Sequence, residues 1–209
     1  MGERYRRAMK LIAHYIFGLG SSLVVSSYLE TVENLARAPL MPMDVLLVSC
    51  LIISVSVNLV IDRFGHDLRG GHISRSPRTH TLPRAALTGI AGGLALALGY
   101  SLTFYSLKGS PSGGTATIDI RNIFSFPDYY DYLVFSVVGA TAGVGHLFLD
   151  VWTERGIFVR KHGRWKRFAL AHFRASNPLV NTLAIILGLA LIFTWVAHIS
   201  PSSAGLWFP

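Results

Sequence analysis

The stretch Tyr132–Trp152 reads YLVFSVVGATAGVGHLFLDVW. Up to Gly145 it carries no charge, and its most polar members are Ser136 and Thr141. Its end then brings His146 and Asp150, four residues apart. An apolar run of roughly 20 residues suffices to cross a bilayer as a helix, and residues four apart on a helix share one face. The stretch is therefore a membrane-spanning helix that delivers an imidazole and a carboxylate to one of its ends. Ionisable groups packed against apolar helices at such a depth are functional by default.

Four further stretches read the same way: about Met9–Leu29, Met43–Ile61, Ala85–Leu107 and Leu179–Ile199, each ended by charge, Pro or Gly-rich sequence. Composition agrees. The 209 residues are 51% hydrophobic with a mean hydropathy of +0.45. Only 14% are charged, against about 25% in soluble domains. This excludes an ordinary soluble enzyme and a disordered chain. The lone Cys50 excludes a disulfide scaffold. The expected fold is all-α, a polytopic membrane bundle of five helices forming a single domain over residues 1–209. The first span follows Arg4, Arg6, Arg7 and Lys10. Its apolar region exceeds the 7–15 residues of a signal peptide and contains His14, so it is read as a retained helix.

The cations are unevenly divided. Arg4, Arg6, Arg7 and Lys10 precede span one. Arg63, Arg69, Arg75, Arg78 and Arg84 lie between spans two and three. Arg155, Arg160, Lys161, Arg164, Lys166, Arg167 and Arg174 lie between spans four and five. These are sixteen of the nineteen; Arg37, Lys108 and Arg121 fall on the other side. The positive-inside rule places the N-terminus in the cytoplasm, the C-terminus outside, and the protein in the cell membrane. The outer side is richer in acids, with Glu30, Glu33, Asp44, Asp119, Asp128 and Asp131. Its long segment from Gly109 to Asp131 suggests a short strand or an irregular cap. On the inner side, Trp165–Phe173 reads as an amphipathic interfacial helix, in a basic loop suited to anionic lipid headgroups. No nucleic-acid-binding motif accompanies that charge. Gly18 with Ser22, and Gly139 with Gly143, are small residues four apart that let helices approach closely.

On this topology seven of the eight histidines lie at the cytoplasmic side, His198 being the exception. Asp62 and His66 are four apart at the inner end of span two. His14 lies about one turn into span one, His80 just before span three, and Glu154 one turn beyond Asp150. Four spans thus bring imidazoles and carboxylates to one depth, a donor mixture suited to Zn²⁺, Mn²⁺ or Fe²⁺. The candidate ligands are His14, Asp62, His66, His80, His146 and Asp150, forming one or two divalent metal centres with zinc favoured. The competing reading is solvation at the interface, with Arg63 and Arg78 simply pairing with Asp62 and Asp150. His72 and His162, set among Gly and Arg, read as solvated. Asn177 precedes Pro178, where span five begins. Asn181, in its first turn, is either a support for a ligand or a helix cap. There is no phosphate-binding Gly-rich loop, zinc-finger spacing or Gly-x-Ser-x-Gly elbow.

Three segments carry a resemblance: Asn58-Leu-Val-Ile-Asp62-Arg-Phe-Gly-His66, Arg78-Thr-His80-Thr, and Gly145-His146-Leu-Phe-Leu-Asp150-Val-Trp-Thr-Glu154-Arg-Gly156. Together they resemble an archaeal membrane family of unknown function, itself distantly similar to the YdjM-like inner-membrane proteins assigned as metal-dependent hydrolases. That group has an early His, an Asp before a His, a Thr-His pair and a later His-x-x-x-Asp. Here these are matched by His14, Asp62 with His66, Thr79 with His80, and His146 with Asp150. The resemblance runs from about residue 9 to residue 183. One departure stands out. The group keeps its Thr-His close behind the first His, whereas residues 67 to 78 separate His66 from Thr79 here.

The expected function is a metal-dependent hydrolase at the cytoplasmic interface, acting on a phosphoester or a lipid-linked substrate. A bound ion lowers the pKa of its water to about 7. Glu154 or an unligated Asp would act as general base, and Arg63 and Arg78 would stabilise charge on a phosphoryl oxygen. The alternative is a non-enzymatic membrane protein, whether transporter, metal-responsive subunit or scaffold, with a structural His/Asp cluster. A transporter calls for polar groups near the bilayer centre. The span centres are apolar apart from Ser54, Ser56 and Thr141.

Overall fold

The computed structural model describes residues 2–34, 43–69, 72–108 and 129–207. Among these residues five long helices dominate: α1 Gly2–Asn34, α2 Met43–Phe64, α3 Leu82–Lys108, α4 Tyr129–Val151 and α5 Pro178–Trp207. The portions long and apolar enough to cross a membrane are Leu11–Leu29, Asp44–Phe64, Leu82–Thr103, Tyr130–Val151 and Pro178–Ala197. Each overlaps one of the expected spans. The third begins at Leu82, because Pro83 is tolerated in a first helical turn and Ala85 N already bonds to Thr81 O at 2.9 Å. The segment 109–128, where a strand or cap was expected, lies outside the described residues.

The helix α4 is central, packing on α3, α1 and α2, while α1 also packs along α5. Leu23, Ile53, Val57, Ile61, Val138 and Leu147 anchor the core. Glycine lets the backbones touch. A Cβ at Gly89 would strike the carbonyl of Gly139, and one at Gly139 that of Gly89; Gly143 stands equally close to Ala85 O. Gly20 and Gly188 do the same for α1 and α5. The expected small-residue pair on α1 is used on two sides. Gly18 abuts Ser54 and Asn58, and Ser22 Oγ reaches Val138 O at 3.5 Å. In lipid, where no hydrophobic force drives helices together, such contact supplies the dispersion energy of assembly. Outward residues are apolar: Phe193 is 74% and Leu183 57% exposed, consistent with a polytopic membrane fold.

Among the described residues, two hairpins depart from the all-helical expectation. Strand β1 (His66–Arg69) pairs antiparallel with β2 (His72–Arg75), His66 opposite Arg75. Strand β3 (Ile157–Lys161) pairs with β4 (Arg164–Phe168), Lys161 opposite Arg164. The expected interfacial helix over Trp165–Phe173 is therefore a correction: its first half is strand β4. The cause is local. His162 and Gly163 both have positive φ, 51° and 74°, the backbone of a two-residue type I′ turn. The β-branched and aromatic run Ile157-Phe158-Val159 favours the strand that precedes it. The hairpins follow the helix ends that carry the conspicuous His and Asp residues: β1–β2 comes after α2, and β3–β4 after α4.

Candidate metal centre

Asn58 and Asp62 are four apart, so α2 presents them on one face; His66, four further on, lies just past its end as the first residue of β1. His146 and Asp150 do the same on α4. The hairpin β1–β2 leaves and returns at one point, with Ser76 N bonding to Gly65 O at 2.7 Å. It takes up most of the extra residues between His66 and Thr79 and sets Thr79-His80 back against the end of α2. Thr79 Oγ1 donates to Ile61 O at 2.9 Å, and the His66 and His80 rings meet edge-on at 5.4 Å. The departure in spacing thus leaves the Thr-His pair beside its expected neighbours. Gly65 is the hinge of this arrangement. A Cβ there would overlap Thr79 Oγ1, His80 Cε1 and Ile61 O.

Three imidazoles converge on Asp150. His146 Nε2 lies 3.3 Å and His80 Nε2 3.5 Å from its Oδ2, and His14 Nε2 lies 3.5 Å from its Oδ1. Nitrogen and oxygen donors at 2.0–2.1 Å from a tetrahedral ion are about 3.3–3.4 Å apart, so each of these pairs is close enough to share an ion. The four groups are buried: His14 3%, His80 0%, His146 1% and Asp150 0% exposed. Among the described residues the Nε2 atoms of His80 and His146 have no hydrogen-bond partner, a costly arrangement in a dry interior that an ion would relieve. Among the described residues, two groups of three have donor atoms within 4.8 Å of one another: His14, His146 and Asp150; and Asp62, His80 and His146. Asp62 Oδ1 stands 3.8 Å from His146 Nε2 and is half-buried, giving the cluster its one wetter margin. The donor set therefore fits a divalent cation.

The supporting groups explain the orientation. His146 Nδ1 bonds to Asn58 Oδ1 at 2.7 Å, and Asn58 Nδ2 donates to Ser54 O at 2.6 Å. Since an amide oxygen only accepts, His146 carries its proton on Nδ1 and turns Nε2 inward as a ligand atom. The His14 and His146 rings stack with centroids 4.2 Å apart. The Arg75 guanidinium bonds directly to Asp150 Oδ1, donates to Gly156 O at 3.0 Å, and reaches Thr153 Oγ1 at 3.4 Å. Burial pushes His80 down to about 2 against the opposing pull of the Asp150 carboxylate, so its imidazole is neutral and able to ligate.

The remaining candidates belong to neither group of three, although His66 Nδ1 lies 4.0 Å from Asp62 Oδ1. His66 Nδ1 faces the Asp62 carbonyl, and its ring joins neither group of three. Arg63, Arg78 and Glu154 are exposed, and Glu154 N bonds to Phe173 O at 2.8 Å. The cation that meets Asp150 is Arg75, not Arg78. His162 and His172 are exposed, as the loops around them suggest. Asn177 is the cap of α5, its Oδ1 accepting from Leu179 N at 2.9 Å. Asn181 does neither job posed for it; its Nδ2 ties down Ala175 O and Asn177 O at 3.1 and 2.8 Å. Asn58 was missed, although its four-residue spacing to Asp62 is a signal that could have found it. Arg75 had no local signal, because its partners lie across the fold.

Comparison with known proteins adds one match. No curated protein and no solved structure matches the chain. Residues 9–149 match the family described as Protein of unknown function (DUF1286). The match runs from α1 to the end of α4 and takes in His14, Asp62, His80 and His146. Covering well over half of the sequence, it makes the chain a member of the DUF1286 family.

Proposed function

We propose that this protein is a membrane-embedded, metal-dependent hydrolase whose site lies at the cytoplasmic interface, with zinc the favoured ion and manganese or iron the alternatives. The observation that carries this reading is the burial of three imidazoles and a carboxylate at donor–donor spacing. His14, His80, His146 and Asp150 would hold the ion, with Asp62 at the open margin. His146 offers a single nitrogen, because its other one is committed to Asn58. It cannot complete both groups of three at once, so the cluster holds one ion, or two bridged by a carboxylate.

A bound divalent ion supplies Lewis acidity and a more acidic water. The protein's own residues do the rest. Arg75 neutralises and aims Asp150. Asp62, half-buried and beside His146, is placed to accept a proton, a role the exposed Glu154 is poorly placed to fill. Charge bookkeeping favours an anionic substrate. Asp62, Asp150 and Arg75 sum to one negative charge with the imidazoles neutral, so a divalent ion leaves the site one positive. A phosphoester balances that excess, and at this depth lipid phosphates are near. The basic hairpin β3–β4, with Arg63 and Arg78 exposed on the same side, suits anionic headgroups. The resemblance to YdjM-like proteins supports the same activity, and the positive-inside rule supports the orientation.

The test is turnover of a panel of phosphomonoester and phosphodiester lipids by metal-loaded protein. Asp62→Asn should abolish hydrolysis while leaving metal content intact. Full metal occupancy with no hydrolysis across the panel would favour the non-enzymatic alternative, a structural or sensing site.

A further inference from the structure

Beside the cluster, α1, α4 and α5 leave a slot of about 330 Å³, within the size range of small-molecule sites. Its walls are apolar, with Phe148 on α4 and Trp152 just past its end on one side and Leu183, Ala184 and Leu187 of α5 on the other. Phe148 stacks on Phe17 at 5.6 Å and meets Trp152 edge-on at 6.2 Å, giving one side an aromatic lining. Phe148, Trp152, Leu183 and Leu187 are 39–57% exposed. The slot is therefore open sideways, at a depth where lipid chains lie.

Its polar residues are His14, Thr153, Asn181 and Arg174. His14 belongs to one of the metal-holding groups, and Thr153 touches Arg75. Arg174 is exposed and is the one formally charged residue of the lining; no acid opposes it there. The loop that carries it is fixed to the end of α4 by the 2.8 Å bond from Glu154 N to Phe173 O.

We propose that this slot binds the single apolar chain of a membrane amphiphile, with its anionic head held by Arg174 next to His14. The hydrolytic fate of that head rests on the function proposed above; the binding does not. The wall from Val180 to Leu187 is about 10 Å of helix, and the volume suits one chain. A transmembrane helix, about 10–12 Å across, is too wide to enter. A chain arriving from the bilayer needs no passage through water, and the polar end stops its head beside the cluster.

The experiment uses full-length protein in neutral phosphatidylcholine nanodiscs, without added metal, and dodecyl phosphate as probe. Dodecanol and inorganic phosphate are the controls. Native mass spectrometry counts bound molecules, and zinc uptake is measured on each variant. Wild type should retain one dodecyl phosphate per chain, and inorganic phosphate should bind at least tenfold more weakly. Ala184→Trp, which fills the slot, should weaken dodecyl phosphate at least tenfold. Arg174→Gln should weaken dodecyl phosphate about tenfold and leave dodecanol unchanged. Zinc uptake should persist in both variants. Should Ala184→Trp lose zinc as well, the exposed Arg174→Gln decides: undiminished dodecyl phosphate binding there overturns the proposal. So does wild-type binding no greater than that of empty nanodiscs. Chain binding without any zinc uptake would support the slot and sink the hydrolase reading.

Discussion

At the scale of single residues, the pair Asp150–Arg75 organises the site. Neither is exposed beyond a few per cent, and removing one member of a buried ion pair typically costs about 3–5 kcal/mol. Asp150→Ala should therefore lower the thermal midpoint sharply and lose metal. The double replacement Asp150→Leu with Arg75→Met should recover much of the midpoint without recovering metal. Asn58→Ala removes the acceptor that orients His146 and should weaken metal binding by about 10–100-fold, read by competition with a chelating dye. His80 predicts a pH response. Its folded value is depressed to about 2, while the unfolded chain takes up a proton near 6.5. The unfolded state thus binds the extra proton between those values. Stability of the metal-free protein should be full above about pH 6.5 and fall as pH drops below it. A melting midpoint that holds or rises from pH 7 to 5 would contradict this.

At the scale of elements, Gly65 and the hairpin it precedes carry the sharpest consequence. Gly65→Ala places a Cβ where the His80 ring and Thr79 hydroxyl now lie. Helix content by circular dichroism should be unchanged, while metal affinity falls on the order of tenfold through a displaced ligand. Gly139→Leu should instead part α3 from α4 and lower stability of the whole bundle. The contrast shows which features the sequence discloses. Apolar length alone reveals Tyr130–Val151 and its four companions, because a bilayer span leaves few alternatives. Four-residue spacing reveals Asp62 and the His146–Asp150 pair, because it needs only helix periodicity. The hairpins escape because their strands are four or five residues long and dense in Arg and Lys, which hides alternation. Arg75 escapes because its partners lie seventy-five or more positions away, so no local pattern betrays it. The role of Gly65 is equally silent until the chain beyond β2 is seen to return to it.

For the whole molecule, five apolar helices hold a polar knot at one end, next to the loops that carry most of the positive charge. The orientation proposed from that charge is testable in a Cys50→Ser background with Arg164→Cys, placed at the exposed β3–β4 turn. In intact cells this thiol should resist an impermeant maleimide and react only after permeabilisation. Labelling without permeabilisation would invert the orientation and move the site to the outer face. The account as a whole stands on the cluster being a metal site. Its most direct test is elemental analysis of purified wild-type protein, before and after incubation with Zn²⁺ or Mn²⁺, beside His146→Ala. The account predicts a stoichiometric divalent ion in wild type and its loss in the variant. Wild-type protein that carries no metal and takes up none would contradict it.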